Sequence, residues 1–265
     1  MPIRSIVLDI DGTLMRDRTP IEGAVSTVEQ LQQHGYRIVY CTQENYQSDQ
    51  DIERRLMSAG FPVPPGAVVS AGTVAVDYIL KTHPGVRIYV MGSKRLKEPL
   101  VKAGLTVLSE ADGETADVVL VGIDPDVSLD RLATAAQAVR SGAQFYVTNM
   151  DRGYPLEDRI IPSAGSLAMA IAFTARRQPR VLGKPSRWMG AAIRRVLSVE
   201  AEQIAVVGDQ LAQDVALGYT VGGTSILVLS GLTQAEEVQK TSSRKRPHLV
   251  LPSVAHLLPW LIGRE

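Results

Sequence analysis

Short apolar, β-branched segments alternate with segments of helical spacing from the first residues onward, and that alternation narrows the possible folds more than any other feature. Residues 5–10 read as a buried parallel strand ending in acidic and glycine residues. Residues 21–34 carry helical spacing and stop at Gly35, a natural residue for a helix C-terminus. Residues 37–42 form the next apolar strand. Ser48 and Asp51 then give a Ser-x-x-Asp capping box that opens a helix reaching Ala59. A strand–helix–strand–helix start predicts an α/β protein, a doubly wound parallel sheet with helices on both faces.

A Pro-rich stretch at 61–66 interrupts the rhythm, and a second series follows. Helices are predicted over 72–81, 94–102 and 129–140, with strands over 87–91, 117–123 and 144–148, enough for a small sheet of their own. A helix over 165–177 precedes a short strand that ends at Gly183-Lys184-Pro185. Strands over 203–208, 225–229 and 248–251 complete the pattern. At 265 residues the chain can hold one large α/β domain or a core carrying a second.

Lys plus Arg equals Asp plus Glu, 28 against 28, so no overall field draws the chain to nucleic acid or to an anionic membrane. The basic stretch 243–246 is short, lacks aromatic neighbours and reads as a solvated loop. The N-terminal apolar segment meets Asp9 far short of the roughly 20 apolar residues of a membrane span, so neither a signal peptide nor a membrane anchor is expected. A single cysteine, Cys41, excludes an intrachain disulfide framework and fits a reducing, cytoplasmic setting. His34, His83, His248 and His256 show no ligand spacing.

The chemistry gathers at strand ends. Leu8-Asp9-Ile10-Asp11-Gly12-Thr13-Leu14 lies where the first strand stops, and doubly wound folds bind ligands beyond the carboxyl ends of their strands. Two aspartates two residues apart, backed by a glycine, can aim through a turn at one spot. One carboxylate can attack phosphorus while the other protonates the leaving oxygen and later activates water. Two anions beside a phosphate repel it, so a hard divalent cation is expected, and Mg2+ suits such oxygens. The plain alternative is that both aspartates cap a turn.

Thr42 ends the second strand with a hydroxyl and following backbone N–H groups, a candidate phosphate grip. Lys184 sits between a strand and a helix and can supply a point charge to a phosphoryl group, or be a solvated side chain. Asp209 and Asp214 follow another apolar strand. Asp209 is placed to ligate metal and Asp214 to steady Lys184 or a metal-bound water, while either can instead cap the next helix.

The ordered set Asp9-Ile10-Asp11-Gly12-Thr13, Thr42, Lys184 and Gly208-Asp209…Asp214 resembles the motifs of the haloacid dehalogenase (HAD) superfamily. The insert between Thr42 and Lys184 lies where a C2-type cap enters. Pro20-Ile21-Glu22-Gly23-Ala24, Val121-Gly122-Ile123-Asp124, Val147-Thr148-Asn149-Met150-Asp151, Ser163-Ala164-Gly165-Ser166 and Gly183-Lys184-Pro185-Ser186 resemble its type IIA branch, the 4-nitrophenylphosphatase or NagD-like phosphatases.

The resemblance implies a Rossmann-like core over 1–70 and 179–265 and an inserted α/β C2-type cap over 71–178. It implies Asp9 as the nucleophile of an aspartyl-phosphate and Asp11 as general acid, then base. Mg2+ would be held by the Asp9 carboxylate, the Asp11 main-chain carbonyl and Asp209, with Asp214 behind them. The substrate would be a small phosphorylated metabolite, and a homodimer through the cap is an expectation on the same ground. A second aspartate at position 11 favours phosphoryl transfer, because a halide leaving group needs no proton. Gln43 and Glu44 beside Thr42 join Asn149 and Asp151 as substrate-binding candidates, and specificity in the cap is expected from Asp124, Asn149, Asp151 and Arg152, although residues 149–152 can equally shape the turn before Tyr154-Pro155.

One departure is informative. Related phosphatases read Thr-Asn-Asn or Ser-Asn-Asn at the second motif, whereas this chain reads Thr42-Gln43-Glu44-Asn45. Two unit charges about 5 Å apart at an effective dielectric of about 20 repel by about 3 kcal/mol. A Glu44 facing the phosphate would thus weaken its binding by about two orders of magnitude. The amides after Thr42 are expected to remain available either way. Two further readings use the same residues: a phosphotransferase or mutase, and a HAD-fold binding or regulatory protein with weakened catalysis.

Overall fold

The central strand, Ser5–Asp9, is apolar over three consecutive positions, and its five residues are all buried, as a strand covered on both faces must be. It lies inside a six-stranded sheet whose order is Leu249–Leu251, Thr224–Val228, Ile204–Gly208, Ser5–Asp9, Arg37–Thr42, Val68–Ser70. Ser5–Asp9 pairs in parallel with Ile204–Gly208 on one side (Leu8↔Val207) and Arg37–Thr42 on the other (Asp9↔Cys41). Strand order reverses at this central strand, which makes its carboxyl end the switch point where doubly wound sheets bind ligands. The structure is a computed structural model and describes residues 2–156 and 159–263.

The helices follow from the spacing of their apolar residues. Ala24–Gln33 buries Ala24, Thr27, Val28 and Leu31 on one face, and Asp49–Ser58 buries Ile52 and Leu56 behind an acidic first turn. The first of these starts three residues later than expected at 21. Residues Thr19–Pro20 pair with Met15–Arg16, and the Ile21 N–H donates to Leu14 O, so the chain is still in a small hairpin there.

The chain divides into two compact units. The first comprises the residues up to Thr42, Asp49–Val69, and those from Lys184 on; the second comprises Gln43–Ser48 and Ser70–Gly183. The second unit has its own five-stranded sheet, in the order Arg180–Val181, Gln144–Val147, Val118–Val121, Arg87–Met91, Thr106–Val107, with parallel pairings throughout. Helices Ala71–Thr82, Lys94–Lys102, Leu129–Arg140 and Ala164–Ala175 flank it in sequence. The expected limits of 1–70 with 179–265 and 71–178 therefore move. Arg180–Val181 pairs with Gln144–Val147 and so belongs to the second unit, as does the isolated segment 43–48.

Elements not anticipated include strand Val68–Ser70, strand Thr106–Val107, the antiparallel pairs Met15–Arg16 with Thr19–Pro20 and Gly153–Leu156 with Arg159–Pro162, and the short helices Ala235–Lys240 and Leu257–Ile262. The basic stretch expected as a loop contains a short 3-10 turn, Ser243–Lys245. Among the described residues no helix is long and apolar enough to cross a membrane.

Candidate active site

Asp9 closes the central strand, and its carboxylate is held from two sides. Oδ1 accepts from Lys184 Nζ at 2.5 Å and Oδ2 from Thr13 Oγ1 at 3.0 Å. Lys184 Nζ also donates to Asp214 Oδ1 at 2.8 Å, so one ammonium bridges two carboxylates from different strand ends. Lys184 is 2% exposed, and Asp9, Asp209 and Asp214 are also buried. Charges so far from water persist only when paired and hydrogen-bonded, as Lys184, Asp9 and Asp214 are, whereas Asp209 has a backbone N–H from Leu232 and no ion pair among the described residues.

Local backbone explains how the groups converge. After Asp9 the chain turns tightly: the Leu14 and Met15 N–H groups both donate to Ile10 O, and the Gly12 N–H donates to Met15 O. Gly12 has φ of 89°, left-handed backbone that glycine adopts without strain. This turn brings Thr13 back onto Asp9. Asp209 follows strand Ile204–Gly208, and its Oδ2 accepts the Leu232 N–H at 2.7 Å. Asp214 lies in a π-helical turn, Leu211–Val215, and its Oδ2 accepts the Gln210 N–H at 3.1 Å. Such turns are wider than an α-helix and recur at functional sites. Thr42 ends Arg37–Thr42 and is buried, while Asp11 is exposed and bridges to Met15.

Electrostatics set the demands of the site. Burial pulls the Lys184 ammonium down, but Asp214 and Asp9 outweigh it and hold Lys184 charged well above the ordinary lysine range. Burial raises Asp9 well above the carboxylate range; Lys184 opposes this, and Asp214 and Asp209 add to it. Asp209 is pushed up to about 6 by burial and by Asp214, against the Leu232 N–H. Cys41, its Sγ 3.7 Å from Met189 Sδ, is a buried thiol pushed up to about 12, mainly by burial.

Three carboxylates around one lysine leave negative charge uncompensated. Ligand oxygens of Asp9, Asp209 and Asp214 all lie within 4.8 Å of one another. Asp209 Oδ1 is buried and has no hydrogen-bond partner among the described residues. An all-oxygen set with one orphaned carboxylate oxygen fits a hard cation such as Mg2+.

In the second unit, Glu44 does not stand out as a loose charge. Its Oε1 accepts the N–H groups of Asn45 at 2.8 Å and Tyr46 at 2.6 Å. The expectation that the amides after Thr42 stay available is thereby corrected for these two. Asn149 uses both ends of its amide: Nδ2 donates to Gln43 O at 2.8 Å and Oδ1 accepts the Asp151 N–H at 3.0 Å. Asp151 O in turn accepts the Gly165 N–H. Asn149 and Asp151 thus shape the local chain.

Residues 6–106 match the family described as haloacid dehalogenase-like hydrolase, and residues 181–257 match a second model described as HAD-hydrolase-like. Together these matches span more than half of the chain. The chain belongs to the haloacid dehalogenase-like hydrolases. Ribonucleotide monophosphatase NagD of Escherichia coli K12 is a relative of this HAD-like hydrolase, 32% identical over 260 residues that cover 97% of this chain and 99% of the relative. Acid sugar phosphatase of Staphylococcus epidermidis is 29% identical over 236 residues, 89% of this chain and 90% of its own. The crystal structure of 4-nitrophenylphosphatase from Thermotoga maritima superposes with a TM-score of 0.87 at 32% identity, covering 97% of each chain.

The α/β architecture of this HAD-like hydrolase, a Rossmann-like core with an inserted α/β domain, agrees with that likeness. Sequence reasoning assigned no role to Thr13 or to the 230–232 loop, which hold Asp9 and Asp209. Thr13 carried a weak signal, a hydroxyl four residues past Asp9; Leu232 acts through its backbone and carried none.

Proposed function

We propose that this HAD-like hydrolase is a Mg2+-dependent phosphomonoesterase for a small phosphorylated metabolite, with Asp9 as nucleophile. The observation that carries the reading is the buried cluster in which Lys184 bridges Asp9 and Asp214 while Asp209 keeps one orphaned oxygen. A phosphoryl group needs that balance of attacking anion and positive charge.

An oxygen of Asp9, oriented by Thr13 and Lys184, attacks phosphorus; the ester P–O bond breaks and an aspartyl-phosphate forms on Asp9. Asp11 gives its proton to the leaving oxygen, then takes one from the water that attacks phosphorus and frees phosphate. Lys184 faces the developing charge on the phosphoryl oxygens, and Thr42 with the amide that follows it grips them. The Asp9 carboxylate, the Asp11 main-chain carbonyl and Asp209 would hold Mg2+, with Asp214 committed to Lys184 and Gln210 behind them. Bound there, Mg2+ supplies the positive charge that keeps Asp9 and Asp209 ionised at neutral pH and offsets the charge of the phosphate.

The relatives named for ribonucleotides and for sugar phosphates define the substrate classes to screen, phosphoglycolate-like acids included. The weakened-catalyst reading rested on Glu44, and a carboxylate satisfied by two amides of its own turn offers it no support. The buried thiol at Cys41 supports a cytoplasmic setting. Pairing of two copies through the second unit would cover Phe173, 88% exposed on helix Ala164–Ala175.

The test is hydrolysis of p-nitrophenyl phosphate with Mg2+, wild type against Asp9→Asn. Turnover should fall by about three orders of magnitude or more in the variant, since the substitution removes the attacking oxygen at constant volume. Activity surviving within about tenfold would exclude Asp9 as nucleophile.

A further inference from the structure

We propose that Ser230, held in turn by Arg16, is a positioning residue that fixes the Asp11 main-chain carbonyl and the Asp209 carboxylate relative to each other. The proposal rests on the phosphatase reading, in which those two groups hold Mg2+. Residue 230 is tied to the turn after Asp9 twice. Ser230 Oγ donates to Gly12 O at 2.7 Å, and Ser230 O accepts from the Arg16 guanidinium at 3.0 Å. Arg16 lies in the hairpin of Met15–Arg16 with Thr19–Pro20, and Ser230 follows strand Thr224–Val228, so the two bonds join separate strand-end loops of the same unit.

Each tie ends beside a proposed cation ligand. The Gly12 N–H donates to Met15 O at 2.8 Å, and in a trans peptide the C=O points opposite to the N–H, so the Asp11 carbonyl is turned away from Met15. Gly12, with φ of 89°, has no side chain to restrict it, and the Ser230 hydroxyl fixes the peptide on its other side. The residues after Ser230 meet Asp209. The Leu232 N–H donates to Asp209 Oδ2 at 2.7 Å and the Thr233 N–H to Asp209 O at 3.3 Å. A Cβ on Gly12 would lie 3.2 Å from Gly231 Cα, so the two loops touch backbone to backbone. With Oδ2 committed to Leu232, Asp209 Oδ1 has no hydrogen-bond partner among the described residues and is the oxygen left to ligate. Mg2+ demands near-ideal octahedral geometry, so ligands from two loops serve it only if the loops keep a fixed spacing. Ser230 supplies that spacing, acting through backbone on both ligands.

The test uses the full chain and compares wild type, Ser230→Ala, Ser230→Thr and Arg16→Ala. Three readouts are taken: calorimetric affinity for Mg2+ alone, kcat and KM on p-nitrophenyl phosphate at saturating Mg2+, and Tm in EDTA. Ser230→Ala should bind Mg2+ about tenfold more weakly, the usual cost of removing a group that orients a metal ligand. Arg16→Ala should weaken it by about threefold, and Ser230→Thr, which keeps the hydroxyl, should stay within about threefold of wild type. KM for the ester should stay within about twofold in every variant, because the substrate is not what these residues hold. A Ser230→Ala variant with lowered Tm and unchanged Mg2+ affinity would overturn the proposal and leave a structural role. If Ser230→Ala fails to fold, Arg16→Ala decides at the exposed end of the network, where unchanged affinity overturns the proposal equally. A wild type that neither binds Mg2+ nor hydrolyses the ester would overturn the phosphatase reading itself, and the wild-type arm alone reveals that outcome.

Discussion

At the scale of single residues, Asp209 shows how closely backbone is fitted to a carboxylate here. A Cβ on Gly231 would lie 2.0 Å from its Oδ2, and one on Gly12 would lie 2.5 Å from the same atom. Both glycines are therefore part of what aims the orphaned oxygen. Gly231→Ala should push the carboxylate aside and raise the Mg2+ concentration for half-maximal activity by about ten- to a hundredfold, the usual cost of disturbing a ligand's support. A titration of activity against Mg2+ measures this, and an unchanged midpoint would remove Asp209 from the cation site. Residue identity made Asp9, Lys184, Asp209 and Asp214 legible in the sequence, because charged groups at the ends of apolar strands are conspicuous. The Leu232 amide and Gly231 were not legible: a backbone donor and a missing Cβ carry no chemistry that a sequence pattern can register.

At the scale of elements, the long apolar strands and amphipathic helices were readable, since burial on one or two faces imposes its period on the residues. What escaped was short or unusual. Val68–Ser70 follows the Pro-rich stretch and has three residues, too few to show a period, and its place comes from pairing at the sheet edge. The Gly153–Leu156 and Arg159–Pro162 pair contains prolines that argue against strand on propensity alone. Helix Arg187–Leu197 begins just after Lys184, and the Ser186 side chain accepts the Met189 N–H as its N-cap. Ser186→Ala should cost about 1 kcal/mol, a fall in Tm of about 2–4 °C for a chain of this size. Thermal unfolding checks it, and an unchanged Tm would mean the cap is replaced by solvent.

At the scale of the whole molecule, the cluster of buried carboxylates ties stability to pH and, with Mg2+ held as proposed, to metal. Asp209 titrates at about 6 in the folded chain, above the ordinary carboxylate range. Between the two values the folded state holds a proton that the unfolded state has lost, so stability rises as pH falls through about 6 towards 4, by up to about 1.4 kcal/mol per unit. Asp9 acts in the same direction. In EDTA, Tm should therefore be higher at pH 5.5 than at pH 7.5, and Mg2+ at pH 7.5 should raise it. Asp209→Asn should diminish both responses. A Tm that falls steadily on acidification in EDTA would contradict the assignment.

The route of the chain has a consequence for recombination between relatives. It passes from one unit to the other at 42/43, 48/49, 69/70 and 183/184, because 43–48 belongs with the inserted domain although 49–69 does not. A chimera made by grafting only 70–183 from a relative would leave a foreign loop where Gly72 and Gly122 lie so close to Asn45, and Gly183 to Gln43, that an added Cβ would press on them. The transplantable module is the pair of segments, since the short one folds with the long one.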